Sequence, residues 1–227
     1  MAKGLFGSSI GRKIIMGFSG LFLITFLLVH CAINALIFFR DGGLAFNKAA
    51  HFMATNPLVR SMEIFLFLGL ILHIIDGIML WRQNTAARPV AYNTSSGNAS
   101  SKWYSRKMGL LGSLILLFLI FHLAHFWVKS RITGLNEVVT PDGETFENMY
   151  VVMLEIFSNP IWVILYVLAC IAVAYHLLHG FKSAFQSLGL NHSKYNGFIA
   201  SLGALFAIII PLVFAMMPLA VFFNCVN

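Results

Sequence analysis

IIMGFSGLFLITFLLVHCAINALIFF, residues 14–39, contains no charged residue and one histidine, His30. A helix needs about 20 consecutive apolar residues to cross the hydrocarbon core of a bilayer. Ionisable side chains are costly at that depth and usually mark a functional site with a partner nearby. The stretch therefore predicts a membrane-spanning helix that carries one side chain with a specific role.

Four further apolar runs of similar length follow, which predicts an all-α integral membrane protein with five transmembrane helices. The chain has 227 residues, of which 59% are hydrophobic and 10% charged, whereas a soluble domain would have about 25% charged residues. This length leaves no room for a second globular domain, so we predict a single membrane domain over residues 1–227. The predicted spans are 14–39, 58–81, 108–128, 161–181 and 197–223.

Basic residues are concentrated in three segments, 1–13, 82–107 and 182–196, none of which contains an acid. The positive-inside rule then predicts a cytoplasmic N-terminus and a C-terminus on the outside. The net charge of +7 is mostly explained by this asymmetry. A basic inner face also suits an acidic soluble partner, while nothing supports nucleic-acid binding.

Each of the first four spans contains a histidine that can be placed by depth. With a helix rise of 1.5 Å per residue, His30 and His122 lie about 25 and 22 Å from the inner face. His73 and His176 lie about 13 and 9 Å from it. This predicts two pairs at two levels, His30 with His122 on the outer half and His73 with His176 on the inner half.

Paired neutral imidazoles on facing helices are best suited to bind haem iron. We therefore predict a bundle of the first four helices that encloses two stacked b haems, with these four histidines as axial ligands to the iron. Such a stack would carry electrons across the membrane. A helix bundle with merely buried polar residues is the alternative, and the matched depths count against it.

Two further histidines, His125 and His179, lie one helical turn after His122 and His176, on about the same face. Either could replace its neighbour as the ligand, or could bond a haem propionate instead. Asp76, one turn after His73, could pair with a basic residue near the inner surface or orient a ligand. Carboxylate-bridged metal sites are not indicated, because no intramembrane Glu accompanies these histidines.

The chain resembles the five-helix, di-haem cytochrome b subunit of succinate:menaquinone oxidoreductases and fumarate reductases. The most specific similarity is AFNKAAHFM (Ala45–Met53), followed by Glu63-Ile64-Phe65 at the start of the second span. The fourth span resembles the family pattern H-x-x-x-G in His176–Gly180, which favours His176 over His179. Gly112 matches the family's glycine spacing before His122.

This resemblance implies a membrane anchor that works through partners. A flavoprotein subunit, which holds the dicarboxylate active site, and an iron–sulfur subunit would dock on the cytoplasmic face of a bacterial inner membrane. Electrons would pass from the iron–sulfur subunit to the inner haem, the outer haem and then menaquinone. We expect succinate oxidation rather than fumarate reduction, and His51 is the candidate residue of a quinone site.

This chain departs from the family pattern at one position. Some fumarate reductases have a Glu, used for compensating proton movement, where this chain has Ala174. That mechanism is therefore not carried over. Two alternatives remain: a di-haem subunit of another respiratory complex, such as a nitrate-reductase-like one, and a His/Asp proton or ion carrier. A nitrate-reductase-like subunit would have a histidine in its last span, and this chain has none there. A His/Asp carrier would bind no chromophore.

Overall fold

The computed structural model describes residues 8–87, 102–140 and 143–226, which are mainly helical. Within these residues, five helices are long and apolar enough to cross a membrane. The prediction of an all-α membrane protein is thereby confirmed. The candidate spans are Ile10–Phe38, Pro57–Ala86, Met108–Thr133, Pro160–Ser187 and Ser193–Phe222.

Ten regular elements, with short 3₁₀ and π segments between them, make up the described chain. The helices are α1 (Ser9–Asn34), α2 (Leu44–Thr55), α3 (Pro57–Ala86), α4 (Trp103–Arg106), α5 (Met108–His122), α6 (Met149–Phe157), α7 (Pro160–Ser187) and α8 (Ser193–Phe222). A 3₁₀ turn, Ala35–Phe38, follows α1, and two π-helical segments, Leu123–Trp127 and Lys129–Thr133, prolong α5. The strands β1 (Glu137–Val139) and β2 (Thr145–Glu147) form an antiparallel pair.

The second, third and fourth spanning helices extend beyond the C-terminal ends predicted from the sequence. Helix α3 continues past Arg82 to Ala86, and α7 continues past Lys182 to Ser187. The predicted spans stopped at the first basic residue, but a long basic side chain can reach the membrane surface from a helix that goes on. The start of α7 follows a local rule, because the Asn159 side chain accepts a hydrogen bond from the Ile161 amide at 2.9 Å.

The fold divides into two compact units, each built from parts of the same long helices. The first unit comprises the described residues of Met1–Phe26, Leu66–Leu114 and Ala172–Ile208. The second comprises those of Leu27–Phe65, Ile115–Ile171 and Ile209–Asn227. That the whole chain forms one membrane domain stays a prediction.

Close helix contacts in the first unit depend on glycine. The indole of Trp81 on α3 lies against Gly109 at the start of α5, where a Cβ atom would come within 2.7 Å of the ring. The ring of Phe181 on α7 lies against Gly203 on α8 in the same way, again at 2.7 Å. Small residues of this kind let membrane helices approach closely, which is how they associate without a hydrophobic driving force.

The second unit has a cap of non-spanning elements that the sequence analysis did not predict. The Asn47 side chain on α2 accepts a hydrogen bond from the Tyr150 amide at 2.9 Å and donates one to Asn148 at 3.1 Å. The Tyr150 hydroxyl donates to the Val226 carbonyl at 3.2 Å. Burial, followed by the nearby Asp41 carboxylate, raises the pKa of Tyr150, so this hydroxyl remains a donor. These bonds join α2, α6 and the C-terminal segment.

Candidate functional site

His73 on α3 and His176 on α7 face each other in the first unit. Their ring centres are 6.2 Å apart, and the ring planes are inclined by 67°. These are the two residues that the depth argument assigns to the inner level. Their role as iron ligands stays a prediction.

Ser19 on α1 lies within hydrogen-bond distance of the His73 ring. The Ser19 hydroxyl donates its single hydrogen to the Met16 carbonyl at 3.2 Å, and its oxygen lies 3.2 Å from Nδ1 of His73. A hydroxyl that donates to the Met16 carbonyl can accept from Nδ1–H of His73. In that tautomer the lone pair of His73 is on Nε2, where a metal can bind it.

His179 has a different partner from His176. Its Nδ1 lies 2.7 Å from the Ser105 hydroxyl on α4. The Nδ1 atom of His176 is buried and has no hydrogen-bond partner among the described residues. Of the two fourth-span histidines, His176 is therefore the one placed beside His73, while His179 is held by a polar neighbour.

His30 on α1 and His122 on α5 face each other in the second unit. Their ring centres are 5.8 Å apart, with the planes at 87°, and the ring of Phe214 on α8 lies 5.5 Å from that of His30. The Asn34 amide, one turn after His30, lies 3.2 Å from its Nδ1. The atom in this contact is the amide nitrogen, which also donates to the His30 carbonyl at 2.8 Å, so it is the donor and Nδ1 of His30 is the acceptor.

His125 belongs to an aromatic group beside that pair. Its Nδ1 lies 3.0 Å from the Tyr166 hydroxyl, and its ring meets the Trp162 ring edge-on at 4.3 Å. By contrast, Nδ1 of His122 is buried with no hydrogen-bond partner among the described residues. The structure thus places His122 next to His30, whereas His125 is occupied by Tyr166.

A charged group at the start of α3 was missed by the sequence analysis. The Glu63 carboxylate accepts a hydrogen bond from the Trp127 indole at 2.6 Å and from Arg131 at 3.3 Å, and it also pairs with Arg60. Arg131 in addition donates to the Ala54 carbonyl at 3.2 Å. The π-helical turns after His122 carry Trp127 and Arg131, and the group ties this end of the third span to α3. Glu63 entered the sequence analysis only through the family resemblance, and neither of its arginine partners was predicted.

The remaining predicted site residue, His51, lies on α2 with its ring 5.3 Å from that of Phe146. Asp76, which the sequence analysis left open between an ion pair and a ligand-orienting role, is 7% exposed. Its Oδ2 has no hydrogen-bond partner among the described residues.

The chemistry of the site is that of two separate imidazole pairs. Among the described residues, no group of three or more His, Cys, Asp or Glu side chains is placed to hold a metal ion. Each pair offers two nitrogen ligands. This number suits an iron whose remaining ligands come from a porphyrin.

Five spanning helices and two histidine pairs define the class of the protein, a multi-pass all-α membrane protein. The chain is 26% identical, over 166 residues, to the succinate dehydrogenase cytochrome b558 subunit of Bacillus subtilis (strain 168). The matched region covers 73% of this chain and 72% of that relative. This similarity confirms the resemblance to the cytochrome b membrane anchors of succinate dehydrogenases, and with it a location in a bacterial membrane.

Two other comparisons add nothing to this assignment. No family model matches the chain, and no solved structure matches it.

Proposed function

We propose that this chain is the membrane-anchor and electron-transfer subunit of a succinate:quinone oxidoreductase, and that it binds two b haems. His73 and His176 would hold one haem, and His30 and His122 the other. The observation that carries the proposal is the presence of one histidine pair in each compact unit, at 6.2 and 5.8 Å.

The spacing of the rings fits this role. The ring centres are 6.2 and 5.8 Å apart, which leaves room for one metal ion between the two imidazoles of each pair. Each pair would supply two nitrogen ligands to it. When bound, haem supplies one-electron redox chemistry.

The chain's own residues orient the ligands and keep water away. Ser19 fixes the ring of His73 through Nδ1, which is the usual means by which proteins hold a metal-binding histidine. Tyr166, which is 7% exposed, closes the space beside His122 together with Phe118 and Phe126, whose rings lie 5.5 and 5.3 Å from that of His122.

The proposed partners follow from the name of the relative and from the charge pattern. The relative is a subunit of succinate dehydrogenase, so a flavoprotein and an iron–sulfur subunit are proposed for this chain too. The basic segments would form the cytoplasmic docking face, with the N-terminus on that side. Electrons would pass to menaquinone, in the direction of succinate oxidation.

A quinone site near His51 is part of this proposal. His51 lies on the non-spanning helix α2 rather than among the paired histidines, so its replacement should leave the haems intact. We expect His51→Ala to lower the rate of menaquinone reduction by the haem-loaded complex. An unchanged rate, with normal haem spectra, would remove His51 from the site.

The proposed function is tested by haem iron per polypeptide and the reduced-minus-oxidised spectrum of the chain purified with haem available. Two low-spin b haems per chain are expected, together with a flavoprotein and an iron–sulfur subunit recovered from membranes. A chain without haem would instead favour the His/Asp carrier. Haem without these partners would favour a subunit of another respiratory complex.

A further inference from the structure

Asp76 is an acidic residue within α3. The electron transfer proposed above gives this residue no role. Its side chain is 7% exposed, and Oδ2 is buried without a hydrogen-bond partner among the described residues. A carboxylate in this position is costly as an anion unless a cation or a proton compensates it. The free oxygen can bind a proton without breaking any existing hydrogen bond.

Helix α1 lies beside Asp76, and α7 faces the same helix one turn away through His176 and His73. Helix α1 packs closely here, since a Cβ atom at Gly77 would lie 3.3 Å from the Met16 methyl group. Within the first unit, the titratable groups of these helices are Arg12 and Lys13 on α1, His73 and Arg82 on α3 itself, and Tyr175, His176, His179 and Lys182 on α7. Among them, Arg12 is the charge that acts on Asp76.

The position of Asp76 couples it to the first histidine pair. It follows His73 by three residues on one continuous helix, which places the two Cβ atoms about 5–6 Å apart on the same face. Charges at this separation interact strongly where water is scarce. A proton gained or lost at Asp76 therefore changes the electrostatic potential at the His73–His176 pair.

We propose that Asp76 is a redox-linked proton-binding site, an inference that rests on the proposed haem between His73 and His176. When that centre gains one electron, the Asp76 carboxylate binds one proton from the inner aqueous side at Oδ2. When the centre loses the electron, the O–H bond breaks and the proton returns. The charge of the buried region is thereby kept constant during electron transfer.

Redox titration of the haem-loaded complex at a series of pH values tests this assignment. The haem held by His73 and His176 is identified as the one missing from His176→Ala. In the wild type its midpoint potential should fall as pH rises, because reduction takes up a proton, with a slope of up to about 59 mV per pH unit. Asp76→Asn should abolish this slope and hold the potential near the wild-type acid limit, whereas Asp76→Glu, which keeps the acid, should retain it.

Two controls make the result specific. Glu63→Gln removes a carboxylate of the other unit, so the pH dependence of this haem should persist. Infrared difference spectra of the wild type should show a carboxylic acid C=O band on reduction that shifts in D₂O. This measurement decides the question if Asp76→Asn does not accumulate, because absence of the band would overturn the assignment.

A failure of the Asp76 proposal can be told apart from a failure of the proposed function. An unchanged slope in Asp76→Asn with both haems bound would overturn the role of Asp76 alone. A wild-type chain that binds no haem would overturn the proposed function and this inference with it.

Discussion

His176→Ala should remove one of the two haems, whereas His179→Ala should leave both in place. The reason is that the two histidine rings have different neighbours. His176 faces His73 at 6.2 Å, while Nδ1 of His179 lies 2.7 Å from the Ser105 hydroxyl. Without His176 this pair would supply one nitrogen ligand instead of two, and a low-spin b haem would need both.

The measurement is haem per polypeptide with the reduced-minus-oxidised spectrum, and the matched variant is three residues away on the same helix. His73→Ala should reproduce the loss seen with His176→Ala. If His179→Ala lost a haem and His176→Ala did not, the ligand on α7 would be His179 and the pairing with His73 would need another explanation.

The long helices and their histidines could be predicted because both depend on properties that a sequence shows directly. An apolar run of about 20 residues has few alternatives to a membrane span. A fixed rise per residue then gives the depth of each histidine from its distance to the nearest basic residue. The adjacency of His30 to His122 required no knowledge of side-chain packing.

The cap of the second unit could not be predicted in the same way. Helix α2, the hairpin and α6 are short and lie outside the spans, where no apolar run marks them. What holds them together is a set of long-range bonds, such as Asn47 to Tyr150, 103 residues apart. Such a pairing between single polar residues leaves no periodic pattern in either segment.

The backbone conformation after His122 also could not be predicted from the sequence. The apolar run predicts a continuous α-helix through His125, but the backbone from Leu123 to Trp127 is π-helical. Wider turns of this kind are rare and are often found at functional sites. They follow from the tertiary partners of the segment, here Tyr166 for His125 and Glu63 for Trp127.

In the second unit, His122→Ala should remove the other haem, whereas His125→Ala should leave both haems in place. His122 lies 5.8 Å from His30, ring to ring, whereas His125 is hydrogen-bonded to Tyr166 and packed on Trp162. His30→Ala should give the same loss as His122→Ala, and the haem of the other pair should keep its spectrum in both.

His125→Ala should instead change stability. It leaves the Tyr166 hydroxyl, in a side chain that is 7% exposed, without its hydrogen-bond partner, at a cost of about 1–3 kcal/mol. Tyr166→Phe in the His125→Ala background removes that unpaired hydroxyl, so the double variant should regain part of the lost thermal stability in detergent. Haem loss in His125→Ala that Tyr166→Phe does not reverse would instead make His125 a ligand, because an axial nitrogen cannot be restored by removing a hydroxyl.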